Sequence, residues 1–156
     1  MNNIKIEKAS KADAADILEI QKKAFLSEAK LYNDYQIGAL TQTRDELVKD
    51  FDVYVFLKAV LDDGRIAGSV KARVSGNSCW IGRLIVLPEY QKQGIGRKLM
   101  EAVEGCFPDA AKYELGTGSK SVQNIRFYKK LGYKISGEEK DNSVTLVHME
   151  KVKGGA

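Results

Sequence analysis

Apolar and polar positions alternate over NIKIEKA near the start of the chain, the period of a short strand, and Ser10 with Asp13 then supplies an S-x-x-D cap for a helix. That helix carries Ile17, Ile20 and Ala24, flanked by Leu18 and Phe25, as an apolar stripe. The period weakens after Glu28 into AKLYNDYQIGALTQT, a polar and aromatic stretch with no assigned element. Thr43 and Glu46, spaced as a T-x-x-E box, open a second short helix running to about Lys49. VYVFLKAVL and IAGSVKARVS read as a hairpin around the turn DDGR, with Ile66, Val70, Ala72 and Val74 on one face and Lys71 and Arg73 on the other. The turn SGNS leads into CWIGRLIVLP, a strand stopped by Pro88, which cannot donate to a ladder.

Further on, Ile95, Leu99, Ala102, Val103 and Cys106 mark a helix that ends before Pro108, and KYELGT reads as a strand. SVQNIRFYKKLG is a helix capped by Ser121 and stopped by Gly132, and YKISG and VTLVHMEK form a last pair of strands. The order is strand, two helices, three strands, helix, strand, helix, two strands: an α/β chain built on a sheet of mixed direction. Residues 151–156, with the tail KGGA, are expected to fray because nothing in that tail offers an anchor.

Composition narrows the picture. A chain of 156 residues, 44% hydrophobic and 29% charged, fits one soluble globular domain spanning 1–156. A formal charge of +4 is mild for a duplex nucleic-acid surface, and a few clustered cations suffice for a small anion. Cys79 and Cys106 form no CxxC pair and His148 is the single histidine, so neither a disulfide framework nor a metal site is expected. Both cysteines read as buried small hydrophobes. The first residues lack the apolar core of a signal peptide and no apolar run approaches a membrane span, which makes the cytoplasm the default location and a membrane partner unexpected.

The chemistry concentrates in QKQGIGRK, residues 91–98. A strand ending at Pro88, a turn, and a helix opening at Gly94 or Gly96 aim free backbone N–H groups and the positive end of the helix dipole at one point. Gly94 and Gly96 lack the Cβ atoms that hold a ligand away, and Lys92, Arg97 and Lys98 add charge, a geometry suited to a pyrophosphate. A P-loop fails because Lys98 precedes Leu99 and not Ser or Thr, and a Rossmann fingerprint fails on the bulk of Leu99. The alternative for G-I-G is a plain strand-to-helix turn, and for each cation a solvated surface charge.

LIVLPEYQKQGIGRKLM resembles the acyl-coenzyme A signature of the GNAT superfamily of N-acetyltransferases, a strand followed by P-x-Y/F-Q and [QR]-x-x-G-x-[GA] opening a helix. Gln91, Gly94 and Gly96 occupy the defining positions, and NIRFYKKLGYK resembles the family's later helix ending in F-Y-x-x-x-G-[FY]. The resemblance extends over essentially the whole chain and is weakest from Ser27 to Gln42. It implies a central mixed, mostly antiparallel twisted sheet of six to seven strands flanked by about four helices. It also implies acetyl-CoA as co-substrate without a metal, backbone pairing of Ile85 and Val86 with the pantetheine arm, and a pyrophosphate cradle formed by Gln91, Lys92, Gln93, Gly94, Ile95, Gly96, Arg97 and Lys98.

By the same resemblance Tyr128 lies near the coenzyme's sulfur as general acid; on residues alone it packs beside Phe127 and Leu131. Many relatives place an asparagine seven residues before this tyrosine, where Ser121 stands here; Asn124, one turn before Tyr128, is the substitute coenzyme contact or else satisfies backbone in the first turn of the helix. Relatives also place a glutamate on the strand equivalent to CWIGRLIVL, where this chain has Arg83 and no carboxylate. The base is thereby left to Glu28 as the best single candidate, and Arg83 hints at recognition of an acidic part of the acceptor. Glu28, Tyr32, Asp34 and Tyr35 offer carboxylates and aromatic faces to a cationic amine, or else pin the segment and face water.

The implied activity is transfer of an acetyl group to a small-molecule or peptide primary amine by direct attack in a ternary complex. The alternative is a catalytically silent CoA-binding regulatory or interaction module of the same fold, and a phosphate-reading nucleic-acid binder is a more distant one. An exposed edge strand of such a sheet could also support a homodimer.

Overall fold

The computed structural model describes residues 3–141 and 144–153. Its elements are β1 (Lys5–Lys8), α1 (Ala14–Tyr32), α2 (Gly38–Thr41), α3 (Arg44–Asp50), β2 (Val55–Val60), β3 (Ile66–Ser75), β4 (Ser78–Val86), α4 (Ile95–Gly105), β5 (Lys112–Gly118), α5 (Val122–Lys130), β6 (Lys134–Asp141) and β7 (Val144–Val152). Single 3-10 turns at Lys11–Asp13 and Pro88–Tyr90 precede α1 and follow β4. The seven strands form one sheet in the order β1-β2-β3-β4-β5-β7-β6, antiparallel throughout except for the parallel pair β4–β5. No helix among the described residues is long and apolar enough to cross a membrane.

Local sequence chemistry sets the element ends. The Ser10 N–H donates to Asp13 Oδ2 at 2.9 Å ahead of α1. At α3 the capping box closes both ways, Glu46 N–H to Thr43 Oγ1 at 3.2 Å and Thr43 N–H to Glu46 Oε1 at 2.8 Å. Two helical features exceed the sequence expectation. α1 continues past Glu28 to Tyr32, because the half-buried Phe25 and the buried Ala29 and Tyr32 carry its inward face onward at i, i+4 and i+7, and it ends on Asn33 in the left-handed region at φ 48°. The unassigned stretch after it also forms the one-turn helix α2, giving five α-helices in place of about four.

The sheet is covered on both faces. Leu57, Val70, Cys79 and Ile81 pack with Leu99, Met100 and Val103 of α4, while Phe56 and Ile85 pack with Ile17 and Ile20 of α1 and Leu47 of α3. Phe51 and Phe56 stack on this second side with ring centroids 4.0 Å apart. β4 changes parity between these clusters. Cys79 and Ile81 face α4, yet Ile85, an even number of residues on, faces α1. The cause is a β-bulge: the β3–β4 register shifts between Ser69 and Lys71, opposite Arg83, whose φ is 50°. One inserted residue exchanges the faces of all that follow.

Two expectations need correction. Cys79 is buried, but Cys106 is exposed, because it sits at the C-terminal cap of α4 beyond the apolar stripe. Lys151 and Val152 do not fray: they belong to β7, and the Lys153 N–H donates to the Ala111 carbonyl at 2.9 Å. Glu104 supplies the anchor, accepting Lys151 Nζ at 2.8 Å on one oxygen and the Tyr133 hydroxyl at 2.8 Å on the other. Residues 154–156 lie outside the described residues.

At Gly68 the sheet leaves no room for a side chain, since a Cβ there would stand 2.6 Å from the Ile85 carbonyl oxygen, an atom of the backbone. Gly68→Ala should therefore force β3 and β4 apart and cost about 1–3 kcal/mol. Urea unfolding reads this directly, and an unchanged midpoint would contradict the packing described.

Candidate active site

β4 and β5 pair through only three registers, Ser78–Lys112, Cys79–Tyr113 and Trp80–Glu114, and then part. Each remains held on its outer side, β4 by β3 through Val86 and β5 by β7 through Gly118, so the wedge between them is built into the sheet. A cavity of about 500 Å³ runs from this wedge to α1 and α2. Its walls include Phe25, Glu28 and Tyr32 of α1, Lys71, Trp80 and Arg83 from the sheet, and Asn124 and Tyr128 of α5.

Three of the expected residues meet at one end. Glu28 accepts a hydrogen bond from Ser121 Oγ at 2.5 Å and another from Asn124 Nδ2 at 3.3 Å. Tyr128 lies one turn beyond Asn124, its ring edge-on to Phe127 at 5.1 Å and to Tyr133 at 6.0 Å. Burial, and after it the nearby Glu28 carboxylate, pushes the Tyr128 phenol well above its ordinary range. Ser121 occupies the N-cap of α5 but makes no side-chain cap; its hydroxyl is turned to Glu28 instead. Asn124 likewise spends its amide on Glu28, where a coenzyme contact was expected.

Tyr32 both lines the cavity and fastens it. Its hydroxyl accepts the Lys120 N–H at 2.8 Å, and a Cβ on Gly118 would collide with its ring, 2.9 Å from Cζ. Asp34 also lines the cavity, with Oδ1 accepting the Gln36 N–H at 2.9 Å. Tyr35, the fourth residue expected there, is exposed and lies outside the cavity wall.

Sequence reasoning missed the far end of the cavity. By its alternation Lys71 belongs simply to the second face of its strand; it is buried there, with Nζ 3.2 Å from Asp50 Oδ2 and 4.2 Å above the Tyr54 ring. Asp50 Oδ2 also accepts Gln42 Nε2 at 2.9 Å, and Gln42 in turn accepts from the buried Gln21 at 2.9 Å. Burial pushes both Lys71 and Arg83 down from their ordinary values. The strand placement of Lys71 signalled only that it faces away from the α4 core; what covers it comes from α3, distant in sequence.

The glycine loop lies at the mouth of the wedge. Gly94 is the N-cap of α4 at φ 85°, and no atom stands within 4 Å of where its Cβ would be. Lys92 is also left-handed, at φ 64°. A Cβ on Gly96 would come 3.3 Å from Phe127 Cζ, so its absence also seats α5 against the first turn of α4. Gln91 braces the loop by donating from Nε2 to the Val86 carbonyl at 3.1 Å, and Arg97 pairs with Glu101 at 2.8 Å along the helix. Lys92, Gln93 and Lys98 are exposed, while the Ile95 side chain is buried in the core. Of the two strand residues, Ile85 is turned to β3, its carbonyl facing Gly68; Val86 alternates to the wedge side.

Comparison with known proteins agrees with this architecture. Residues 50–135 match the acetyltransferase (GNAT) domain, and the chain belongs to the GNAT acetyltransferase family. The uncharacterized protein YrkN of Bacillus subtilis (strain 168) is 29% identical over 131 residues, which are 80% of this chain and 71% of YrkN. The PaiA N-acetyltransferase from Thermoplasma acidophilum, solved in complex with coenzyme A, superposes with a TM-score of 0.80 at 21% identity, covering 96% of this chain and 99% of that one. The ribosomal-protein-S18-alanine N-acetyltransferase from Escherichia coli superposes with a TM-score of 0.82 at 16% identity, covering 99% and 96%. The sheet order and mixed α/β architecture are those of the GNAT fold.

Burial of the tyrosines has a measurable signature. Burial raises Tyr128 and Tyr133 in the folded chain, Tyr133 being further raised by Glu104, whereas an unfolded phenol titrates near pH ~10. A raised folded value means that the associated stability is complete below pH ~10 and is lost as the pH climbs beyond it. The tyrosinate absorbance of the native protein should then fall short of its seven tyrosines until alkaline unfolding releases the remainder. A single native transition accounting for all of them would contradict the enclosure of Tyr128 and Tyr133.

Proposed function

We propose that this chain is an acetyl-CoA-dependent N-acetyltransferase that moves the acetyl group to a primary amine by direct attack within a ternary complex. The observation that carries the reading is Tyr128, enclosed beside Glu28 in the cavity that opens along the β4–β5 wedge. Acetyl-CoA, when bound, supplies a thioester carbonyl. The wedge edge at Val86 offers backbone pairing to its pantetheine arm. The open space over Gly94, the unpaired N–H groups of the first turn of α4, and Lys92 and Lys98 suit its pyrophosphate.

The acceptor amine attacks the carbonyl carbon; a C–N bond forms as the C–S bond breaks. Tyr128 donates its proton to the departing sulfur, and burial keeps the phenol in the protonated form that a donor requires. Glu28, oriented by Ser121 and Asn124, takes the surplus proton of the amine. Holding the partners in place supplies most of the rate. No covalent enzyme intermediate is required, and burial pushes the Cys79 thiol up to about 11, away from a nucleophilic thiolate.

A second reading, a silent coenzyme-binding module of the same fold, draws on Arg83 standing where the family resemblance calls for a glutamate. Turnover separates the two. Tyr128→Phe should lower the rate of thiol release from acetyl-CoA by about 100-fold, with coenzyme affinity measured by calorimetry nearly unchanged. Unaltered turnover would remove the acid role, coenzyme binding without turnover against any amine would favour the silent module, and absence of coenzyme binding would sink both.

A further inference from the structure

The cavity end opposite Tyr128 is built around Arg83. The bulge in β4 turns this residue off the regular alternation of the strand and into the cavity wall. Its guanidinium lies 5.9 Å from the Phe25 ring, and Nη2 lies beside Gly38, in ordinary contact range at 3.5 Å of where a Cβ there would stand. Nη1 is closed to solvent and meets no hydrogen-bond acceptor among the described residues. No carboxylate among the described residues stands within ion-pair distance of Arg83, whereas Lys71 beside it is paired with Asp50. A half-buried cation with a solvent-closed, unpartnered N–H and no ion-pair partner is costly to fold.

The charged side chains that act directly on one another around Arg83 are Lys71 and Arg83 itself, both positive, and Asp50, negative. Asp50 is already committed, its Oδ2 shared between Lys71 and Gln42. One negative charge is wanting. A carboxylate matches both the count and the planar fork of a guanidinium, while a dianionic phosphate would leave an excess charge among Phe25, Tyr54 and Trp80. Phe25, which touches Arg83, and Glu28, which faces Tyr128, are neighbours on one face of α1, about one helical turn apart. The two charged ends are thus a short spacer apart.

We propose that the acceptor is a small amino carboxylate, its carboxylate bound by Arg83 and its amine directed to Glu28 and Tyr128. This names the acceptor class for the activity proposed above and rests on that reading. Arg83 then acts in specificity: it supplies a half-buried counter-charge that a plain alkylamine or a polyamine cannot use, and the latter would add a cation beside it.

Trp80, the single tryptophan, lines the cavity and reports occupancy independently of turnover. The probes are amino carboxylates from glycine to ε-aminocaproate, their carboxamides, the corresponding alkylamines, spermidine, and 2-aminoethyl phosphate. Tryptophan fluorescence of the coenzyme A complex should show one or more amino carboxylates bound about tenfold or more tighter than their carboxamides. In the thiol-release assay the same pairs should differ in kcat/KM in the same direction. Arg83→Gln should bring both ratios to about one through KM, and Arg83→Lys should restore part of the preference. Preference for carboxamides or spermidine, or a loss in Arg83→Gln that falls equally on both members of a pair, would overturn the proposal. Tighter binding of 2-aminoethyl phosphate would replace the carboxylate by a phosphate and overturn it equally. Carboxylate binding without turnover would leave the anion site standing while the acyltransferase reading fails; turnover without carboxylate preference would do the reverse.

Discussion

Everything at this site depends on β4 ceasing to pair with β5 after Trp80. Backbone hydrogen-bonding groups are costly to leave unpaired away from water, so a sheet opens only where both strands are held from outside. Here β3 holds one side of the opening and β7 the other. The bulge at Arg83 lies on the open stretch of β4. It exchanges the faces of the residues beyond it, seating Ile85 against α1 while leaving Val86 at the wedge. One irregular residue thus positions a strand edge and aims a cation, and neither could be had from a regular strand.

The helices convert that opening into a chemical site. α1 brings Glu28 and α5 brings Ser121, Asn124 and Tyr128, from positions far apart in the chain. α2 and α3 close the opposite end through Gln42 and Asp50. The result is a cavity with a carboxylate beside a phenol at one end and a net positive cluster at the other, with aromatic walls between.

Much of the fold was legible because its signals are local. The strand periods, the Thr43–Glu46 box, the glycine turn and the order of elements each depend on residues within a few positions. Asn124 and Tyr128 could be put on one helix face from their spacing alone. Tertiary packing decided the remainder. Phe25, Ala29 and Tyr32 prolong α1 only because a buried surface awaits them, and Lys151 is anchored by Glu104 across a long sequence interval. The bulge at Arg83 had no local mark, since a left-handed residue is expected to be glycine and the glycine here is its neighbour, Gly82. Lys71 reads as an ordinary outward lysine until Asp50 and Tyr54 are brought over it. Tyr35 erred in the other direction: its aromatic character suggested a wall, but the turn after α1 points it outward.

Gly96 ties the two halves of the molecule together mechanically. Because it has no side chain, the Phe127 ring rests on the first turn of α4, and Phe127 is the residue immediately before Tyr128. The glycine loop and the phenol are consequently two ends of one strut. A side chain at position 96 would therefore press on Phe127 and, through it, on the helix that carries the phenol.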